Sequence, residues 1–337
     1  MAGIPPSSRS ATPCSGGGGL AGMENSDYPA LERRLGRELL SDRMLKQAGK
    51  SAKLLHQGEG IFRLERFFPL DSLVAFGLGL TGLKRRVHRN FLGVRVVTRE
   101  WSLANLPLAF EGFRLLHLTD LHLDLDTALT PVIRRLIGGL AHDAAVVTGD
   151  FRNKTDGNYL PCLHEMQQII EGLAPRRWGI LGNHDFVEMV PSLEAAGLPI
   201  LLNEVASIER GNEKLWFAGI DDPHFYKTHD LPKVRAEIPS GACSILLSHS
   251  PETFAAAESL GFDLQLSGHT HGGQLCLPGG IPVVVPCKIA KRFVRGAWRH
   301  GRLQGYTSPG TGSCGVAARL NCPPEITLHI LKRGPMP

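Results

Sequence analysis

Short apolar runs, each ending in a polar turn, recur along the middle of the chain. They cover residues 113–118, 144–147, 178–181 and 244–247. Apolar runs without alternation are typical of strands that are buried on both faces. Stretches at 128–141, 160–173 and 251–260 predict helices between these strands, and Pro251 suits the first turn of the last one. Alternating strands and helices predict an α/β domain.

Polar side chains follow the predicted strands in four short motifs. The motifs are Asp120-Leu121-His122, Gly149-Asp150, Gly182-Asn183-His184-Asp185 and Gly268-His269-Thr270-His271, and His249 lies between the last two. Because ligand sites in open α/β sheets collect at the carboxyl ends of strands, we expect these side chains to lie together. Carboxylate, amide and imidazole ligands suit two adjacent Mn, Fe or Zn ions better than an all-oxygen Mg or Ca site. The motifs therefore predict a dinuclear hydrolase.

The motifs and their order resemble the calcineurin-like metallophosphoesterase superfamily, whose pattern runs D-x-H, G-D, G-N-H-D/E, H and G-H-x-H. The resemblance spans residues 113–331. It implies an α/β fold in which a two-sheet β-sandwich is flanked by helices. Flanking segments, among them Gly219-Ile220-Asp221-Asp222-Pro223, resemble the bacterial membrane-associated phosphodiesterase branch. That branch includes a UDP-2,3-diacylglucosamine pyrophosphatase.

The same resemblance implies a role for each residue of the motifs. Asp120, His122 and His271 would bind one metal ion, Asn183, His249 and His269 the other, and Asp150 would bridge them. Two cations roughly 3.5 to 4 Å apart activate water and hold the phosphoryl oxygens. His184 corresponds to the family's general acid, with Asp185 fixing its tautomer. The alternative for His184 is a structural role beside the ligands.

Composition and cysteine content narrow the class of protein. The chain has 337 residues, 42% of them hydrophobic, which is enough for one large domain with an appendage. Its seven cysteines, an odd number without a C-x-x-C pair, favour reduced thiols over disulfides or structural zinc. We therefore expect a cytoplasmic protein. No glycine-rich loop ends in Gly-Lys-Ser/Thr, which argues against a P-loop nucleotide site.

The region before the motifs divides into two parts. Residues 1–26 are rich in Ser, Pro and Gly and are expected to be disordered, with Met23 as an alternative start. No apolar segment follows an early basic cluster, so a signal peptide is not expected. Residues 27–95 are predicted to form a helical appendage with apolar and basic segments. Residues 96–333 are predicted to form the metallophosphoesterase domain.

Residues 67–89 are the candidate for membrane contact. Their uncharged stretch, 72–83, is shorter than the roughly 20 residues of a spanning helix. Four cations follow it: Lys84, Arg85, Arg86 and Arg89. An apolar patch with flanking cations suits peripheral attachment to the anionic inner face of the cytoplasmic membrane. A helix that packs on the core and has a solvated basic end explains the pattern equally well.

A second basic cluster follows the last motif. It comprises Lys288, Lys291, Arg292, Arg295, Arg299 and Arg302. Of these, Lys288, Arg292 and Arg295 are the candidate substrate-binding residues, for a phosphate or pyrophosphate group. The alternatives are contact with lipid headgroups and a solvated hairpin face. No stacking module or recognition helix accompanies the cluster, so nucleic acid is not expected as a partner.

The favoured expectation is hydrolysis of a phosphodiester or phosphoanhydride with two divalent ions, of which manganese is the first choice. The favoured substrate is the lipid-nucleotide UDP-2,3-diacylglucosamine of lipid A biosynthesis, which a pyrophosphatase cleaves to UMP and a lipid monosaccharide phosphate. This choice follows from the branch resemblance and from the apolar and basic segment. A phosphodiesterase of nucleotides or other small diesters is the alternative. A non-catalytic protein-binding scaffold is a third reading, and the filled ligand positions argue against it.

Overall fold

The computed structural model describes residues 27–56, 77, 79–80 and 82–335. The helices of this part are α1 (Tyr28–Leu35), α2 (Arg37–His56), α3 (Lys84–Leu92), α4 (Leu129–Gly138), α5 (Leu160–Ile170), α6 (Val190–Ala195), α7 (Leu231–Ala236) and α8 (Phe254–Ser259). The predicted disordered segment 1–26 and most of the stretch 72–83 lie outside the described residues.

Thirteen strands appear in the described part. They are β1 (Arg95–Leu103), β2 (Phe113–Leu118), β3 (Ala144–Thr148), β4 (Arg177–Ile180), β5 (Glu204–Arg210), β6 (Glu213–Gly219), β7 (Ser244–Leu247), β8 (Leu264–Ser267), β9 (Cys276–Leu277), β10 (Ile281–Pro282), β11 (Gly296–His300), β12 (Leu303–Thr307) and β13 (Glu325–Arg333). All four predicted apolar strands are among them, as β2, β3, β4 and β7.

Two mixed sheets contain most of these strands. The first has the order β1-β13-β2-β3-β4, and β2, β3 and β4 run parallel. The second has the order β11-β12-β8-β7-β6-β5, and β6, β7, β8 and β12 run parallel. Antiparallel strands, β5 and β11, form the two edges of the second sheet. The parallel strands place the turns after them at the same end of each sheet.

The two sheets pack face to face. Phe113 and Val146 of the first sheet share one apolar cluster with Phe217 and Ile245 of the second. A second cluster joins the first sheet to α4 and α5, and a third joins the second sheet to α7 and α8. The predicted two-sheet sandwich with flanking helices is therefore confirmed.

The N-terminal helices pack on the outer face of the first sheet. Leu31 and Leu35 of α1, Leu40 of α2 and Phe91 of α3 belong to the cluster that also holds α4 and α5. The four cations of α3 are exposed on its other face. Within the described ranges, no helix has the length and the apolar composition that crossing a bilayer requires.

Candidate metal centre

The turns after the parallel strands of both sheets carry the polar motifs to one place. These turns hold Asp120 and His122 after β2, Asp150 after β3, Asn183 after β4, His249 after β7, and His269 and His271 after β8. Each of the seven side chains is at least nine-tenths buried. The structure thus brings together every ligand that the sequence predicted.

One subset of ligands surrounds His122. Asp120, His122, Asp150 and His271 offer ligand atoms that all lie within 4.8 Å of one another. His122 Nε2 lies 3.2 Å from His271 Nε2 and 3.7 Å from Asp150 Oδ2. His271 Nε2 lies 3.4 Å from Asp120 Oδ1. Nitrogen and oxygen donors at these separations converge on a volume that suits one cation.

A second subset surrounds the amide of Asn183. Asn183 Oδ1 lies 3.0 Å from His249 Nε2 and 2.9 Å from His269 Nδ1. His249 Nε2 is also 3.3 Å from Asp150 Oδ2. The same carboxylate oxygen therefore faces both subsets. The other oxygen of this carboxylate, Asp150 Oδ1, accepts a hydrogen bond from the backbone N–H of His184 at 2.8 Å. This hydrogen bond fixes the orientation of the carboxylate.

Backbone carbonyls orient two of the imidazoles. His122 Nδ1 lies 2.8 Å from the carbonyl oxygen of Arg152, and His249 Nδ1 lies 2.7 Å from that of Thr148. A carbonyl oxygen only accepts, so each ring carries a proton on Nδ1 and turns its Nε2 to the centre, where a metal ion would bind. This is the tautomer that metal binding requires.

The charges of the centre also suit cations. Burial lowers the pKa of His122 to about 3 and holds the pKa of His271 well below its usual value. Burial disfavours the charged form of Asp150, but the facing histidines, His249, His184 and His122, together outweigh burial and hold the pKa of that carboxyl well below its usual range. Burial lowers the pKa of His249, but the surrounding carboxylates, chiefly Asp150, raise it to about 10, so without a metal a buried imidazolium compensates the buried carboxylate. A divalent cation would replace that proton and compensate the same charge. The residues present therefore fit a divalent metal.

The ligand turns have an unusual backbone. Five of the seven ligands have left-handed φ angles: Asp120 (51°), His122 (45°), Asp150 (53°), His269 (68°) and His271 (50°). Such angles are uncommon outside glycine and collect at functional sites. Glycine is needed where the turns meet, because a Cβ on Gly149 would lie 2.5 Å from the nitrogen of Gly182.

Residues 113–273 match the family model of the calcineurin-like phosphoesterases. This segment contains all seven ligands. The chain therefore contains a calcineurin-like metallophosphoesterase domain. It is accordingly a metal-dependent phosphoester hydrolase.

Known relatives extend the similarity beyond that segment. The phosphoesterase is 28% identical over 256 residues to the metallophosphoesterase YkoQ of Bacillus subtilis, which covers 72% of this chain and 93% of the relative. It is 28% identical over 225 residues to the phosphodiesterase YaeI of Escherichia coli, with 64% and 81% covered. Among solved structures, the NAD nucleotidase of Haemophilus influenzae is 15% identical with a TM-score of 0.40, covering 60% of this chain and 46% of that one.

His184 lies beside the ligands of the phosphoesterase. Its ring centroid is 4.9 Å from that of His122, and its Nε2 is 4.0 Å from Asp150 Oδ2. Its Nδ1 lies 2.6 Å from the carbonyl oxygen of Asn153. The proton on Nδ1 is therefore held by a backbone carbonyl, and Nε2 faces the centre.

Asp185 does not contact the ring of His184, so the expectation that it fixes the tautomer is wrong. Its carboxylate accepts hydrogen bonds from the backbone N–H groups of Asp150 (2.7 Å), Phe151 (2.9 Å) and Gly182 (2.8 Å). The N–H of Arg152 donates to the same carboxylate at 3.4 Å, and these four donors tie the turn after β3 to the turn after β4. Asp185 therefore positions Asp150 through the backbone.

His224 and Glu252 border the second subset, and the motifs did not reveal them as a pair. The rings of His224 and His269 lie 4.2 Å apart. His224 Nδ1 is 2.6 Å from Glu252 Oε2, and the hydroxyl of Ser250 donates to the same oxygen at 2.8 Å. The carboxylate of Asp222 accepts from the backbone N–H of His224 at 3.1 Å. The Asp-Asp-Pro sequence before His224 was the available signal for this ordered loop.

Helix α2 supports the turn that carries His184. Arg43 donates to Asp221 at 2.9 Å and to the carbonyl of Asp185 at 3.0 Å. Gln47 accepts from the N–H of Val187 at 2.9 Å. Lys50 donates to the carbonyl of Asn183 at 2.7 Å. These three residues recur at helical spacing and therefore share one face of α2.

The three predicted substrate-binding cations occupy different positions. Arg295 packs beside the turn that follows His271. A Cβ placed on Gly272 would lie only 3.3 Å from Cδ of Arg295. Lys288 and Arg292 are exposed on the segment that precedes β11. Among the described residues, no hydrogen bond joins Lys288 or Arg292 to the ligands. Their role in substrate binding stays a prediction.

Proposed function

We propose that the chain hydrolyses phosphodiester or phosphoanhydride bonds at a dinuclear centre built from its seven buried ligands. The supporting observation is the position of Asp150, whose Oδ2 lies 3.7 Å from His122 Nε2 and 3.3 Å from His249 Nε2. A carboxylate between two donor sets is suited to be shared by two cations. Two divalent cations, when bound, activate water and neutralise charge on the phosphoryl oxygens.

The residue roles follow from this arrangement. Asp120, His122 and His271 would hold one cation, Asn183, His249 and His269 would hold the other, and Asp150 would be shared by both. Manganese is the proposed metal, since oxygen and imidazole donors occur in both sets. In the imidazolium form His184 carries a proton on each ring nitrogen; it would donate the Nε2 proton to the leaving oxygen and keep the Nδ1 proton, which the carbonyl of Asn153 holds. Asp185 supports the reaction by holding the backbone of Asp150.

We propose UDP-2,3-diacylglucosamine as the substrate, cleaved at the pyrophosphate as in lipid A biosynthesis. The resemblance to the membrane-associated branch supports this choice, as does the cation of Arg295, which packs beside the turn after His271. A substrate with acyl chains implies that the enzyme acts at the inner face of the cytoplasmic membrane, as a peripheral protein. The second candidate is a small phosphodiester, which the relative named phosphodiesterase in Escherichia coli favours.

The test is direct assay of the manganese-loaded protein. It is incubated with UDP-2,3-diacylglucosamine and, separately, with bis-p-nitrophenyl phosphate, and the phosphorus-containing products are resolved. We expect UMP and the lipid monosaccharide phosphate from the first substrate. Hydrolysis of the aryl diester alone would support the small-diester candidate. Two bound metals without hydrolysis of either compound would contradict both.

A further inference from the structure

Residues 277–284, here called the apolar hairpin, expose a cluster of large apolar side chains. The hairpin contains β10 and the last residue of β9. Leu277 is 55% exposed, Ile281 55%, Val283 63% and Val284 68%. Nine large hydrophobic side chains are exposed in the described part of the chain, and four of them lie in this short segment. Such clustering marks a contact surface, whereas single exposed apolar residues are ordinary.

The apolar hairpin is attached to the metal centre at its base. Cys276 Sγ lies 3.4 Å from the carbonyl oxygen of Gly272, the residue after the ligand His271. A Cβ on Gly273 would lie 2.3 Å from Pro282 Cβ, so the hairpin packs directly on the ligand turn. A molecule bound at the hairpin is therefore held next to the centre.

The sequence around the hairpin is strongly cationic. Between Asp263 and Glu325 there is no acidic residue, while seven residues are Lys or Arg. The net charge of the whole chain is +5, so the remainder of the chain is net negative. Lys288, Lys291, Arg292 and Arg295 follow the hairpin closely and are exposed. The positive charge of the protein is thus concentrated beside its exposed apolar cluster.

We propose that the apolar hairpin and these four cations dock the enzyme on a bilayer that contains anionic phospholipid. Apolar tips enter the interface while neighbouring Lys and Arg side chains bind anionic headgroups. A purely apolar protein partner would not require this excess of cations. The inference rests on the proposed function only for the lipid nature of the substrate, and vesicle binding is measured without any substrate.

The exposed cations of α3 form an alternative surface that could bind anionic lipid. Val87 and Phe91 of α3 are buried in the core. The helix therefore presents the cations Arg85 and Arg86 to a bilayer but no exposed large apolar side chain. Both surfaces attract anionic lipid through charge. Among the described residues, the hairpin exposes four large apolar side chains, and the segment just before α3 exposes Leu80. Variants of each surface therefore separate the two.

The test is flotation of the manganese-loaded protein with vesicles of phosphatidylcholine containing about 30% phosphatidylglycerol, at low and high salt. We expect Val283→Ser with Val284→Ser to weaken binding about tenfold or more, because two exposed apolar side chains no longer insert. The matched control is Leu108→Ser, a substitution of a side chain that is 65% exposed near Glu213. The control is expected to bind like the wild type.

Thermal unfolding and metal content of each variant establish that it is folded. Wild-type binding by the double valine variant would overturn the proposal, as would absence of wild-type binding. Equal binding to vesicles of pure phosphatidylcholine would remove the role of the cations. Loss of binding in Arg85→Gln with Arg86→Gln, but not in the valine variant, would assign docking to α3.

Discussion

The metal centre and the apolar hairpin differ in almost every physical respect, although only a few residues separate His271 from Leu277. The seven ligands are buried, and five of them adopt left-handed backbone angles. The four large apolar side chains of the hairpin are more than half exposed. The centre is therefore held by the strand-end turns of both sheets. The hairpin is held at its base, and its tip is available to an external surface. Effects of mutation should accordingly decrease from the centre outward.

The largest effect is expected for Asp150→Asn. The change keeps an oxygen for the N–H of His184 but removes the charge that faces both donor sets. Metal content and hydrolysis of bis-p-nitrophenyl phosphate should both fall to background. Asp143→Asn, before β3, is the matched control, since that carboxylate pairs with Arg210 near the surface. Two metals and full activity in Asp150→Asn would contradict the dinuclear arrangement.

His184→Ala should leave the metals in place and lower kcat by roughly 10² to 10⁴, the range for a positioned general acid. His249→Ala should instead lose metal, because His249 faces Asn183 and Asp150 directly. Elemental analysis gives the metal content of both variants, and kcat is measured on two diesters. The loss at His184 should be smaller for a p-nitrophenolate leaving group, which leaves without protonation. Equal metal loss in both variants would make His184 a ligand.

Arg43→Met tests the support that α2 gives to the centre. Arg43 and Asp221 are both fully buried, and removing one partner of a buried ion pair costs about 3–5 kcal/mol. Urea unfolding should show this loss of stability. Arg37→Met, which removes an exposed pair with Glu32, should change stability by less than about 1 kcal/mol. Similar values for the two variants would show that the α2 contact is dispensable.

The sequence predicted the positions of the candidate ligands at strand ends, because these positions depend on local features. Apolar runs end where the chain turns, and residues 113–118 and 244–247 have the same limits as β2 and β7. The helix predicted at 251–260 is shorter, since a 3₁₀ turn at Pro251–Thr253 precedes α8. Long-range contacts were not predictable in this way. Arg43 and Asp221 are 178 positions apart, and only packing of α2 brings them together.

The apolar hairpin also shows that the sequence does not predict long-range packing. Val283, Val284 and Val285 form an apolar run, which by its pattern resembles a buried strand. In the structure two of them are exposed, because the short β9–β10 ladder has no further strand or helix over its tip in the described part of the chain. Hydrophobicity predicts burial, but whether a partner element exists depends on the fold.

The smallest effect is expected for Lys50→Met, at the edge of the region that α2 supports. Lys50 donates to the carbonyl of Asn183 at 2.7 Å, and its ammonium lies 4.3 Å from the ring centroid of Phe225. Losing a hydrogen bond from a charged donor costs about 1.5–3 kcal/mol, so Asn183 should bind its metal roughly tenfold more weakly. Lys50→Arg should restore the affinity, and Lys214→Met, which removes an exposed cation paired with Glu209, should not change it. Metal titration of the three variants distinguishes positioning of Asn183 from a general effect of charge. An unchanged affinity in Lys50→Met would show that the turn after β4 keeps its position without α2, and that Arg43 acts on stability alone.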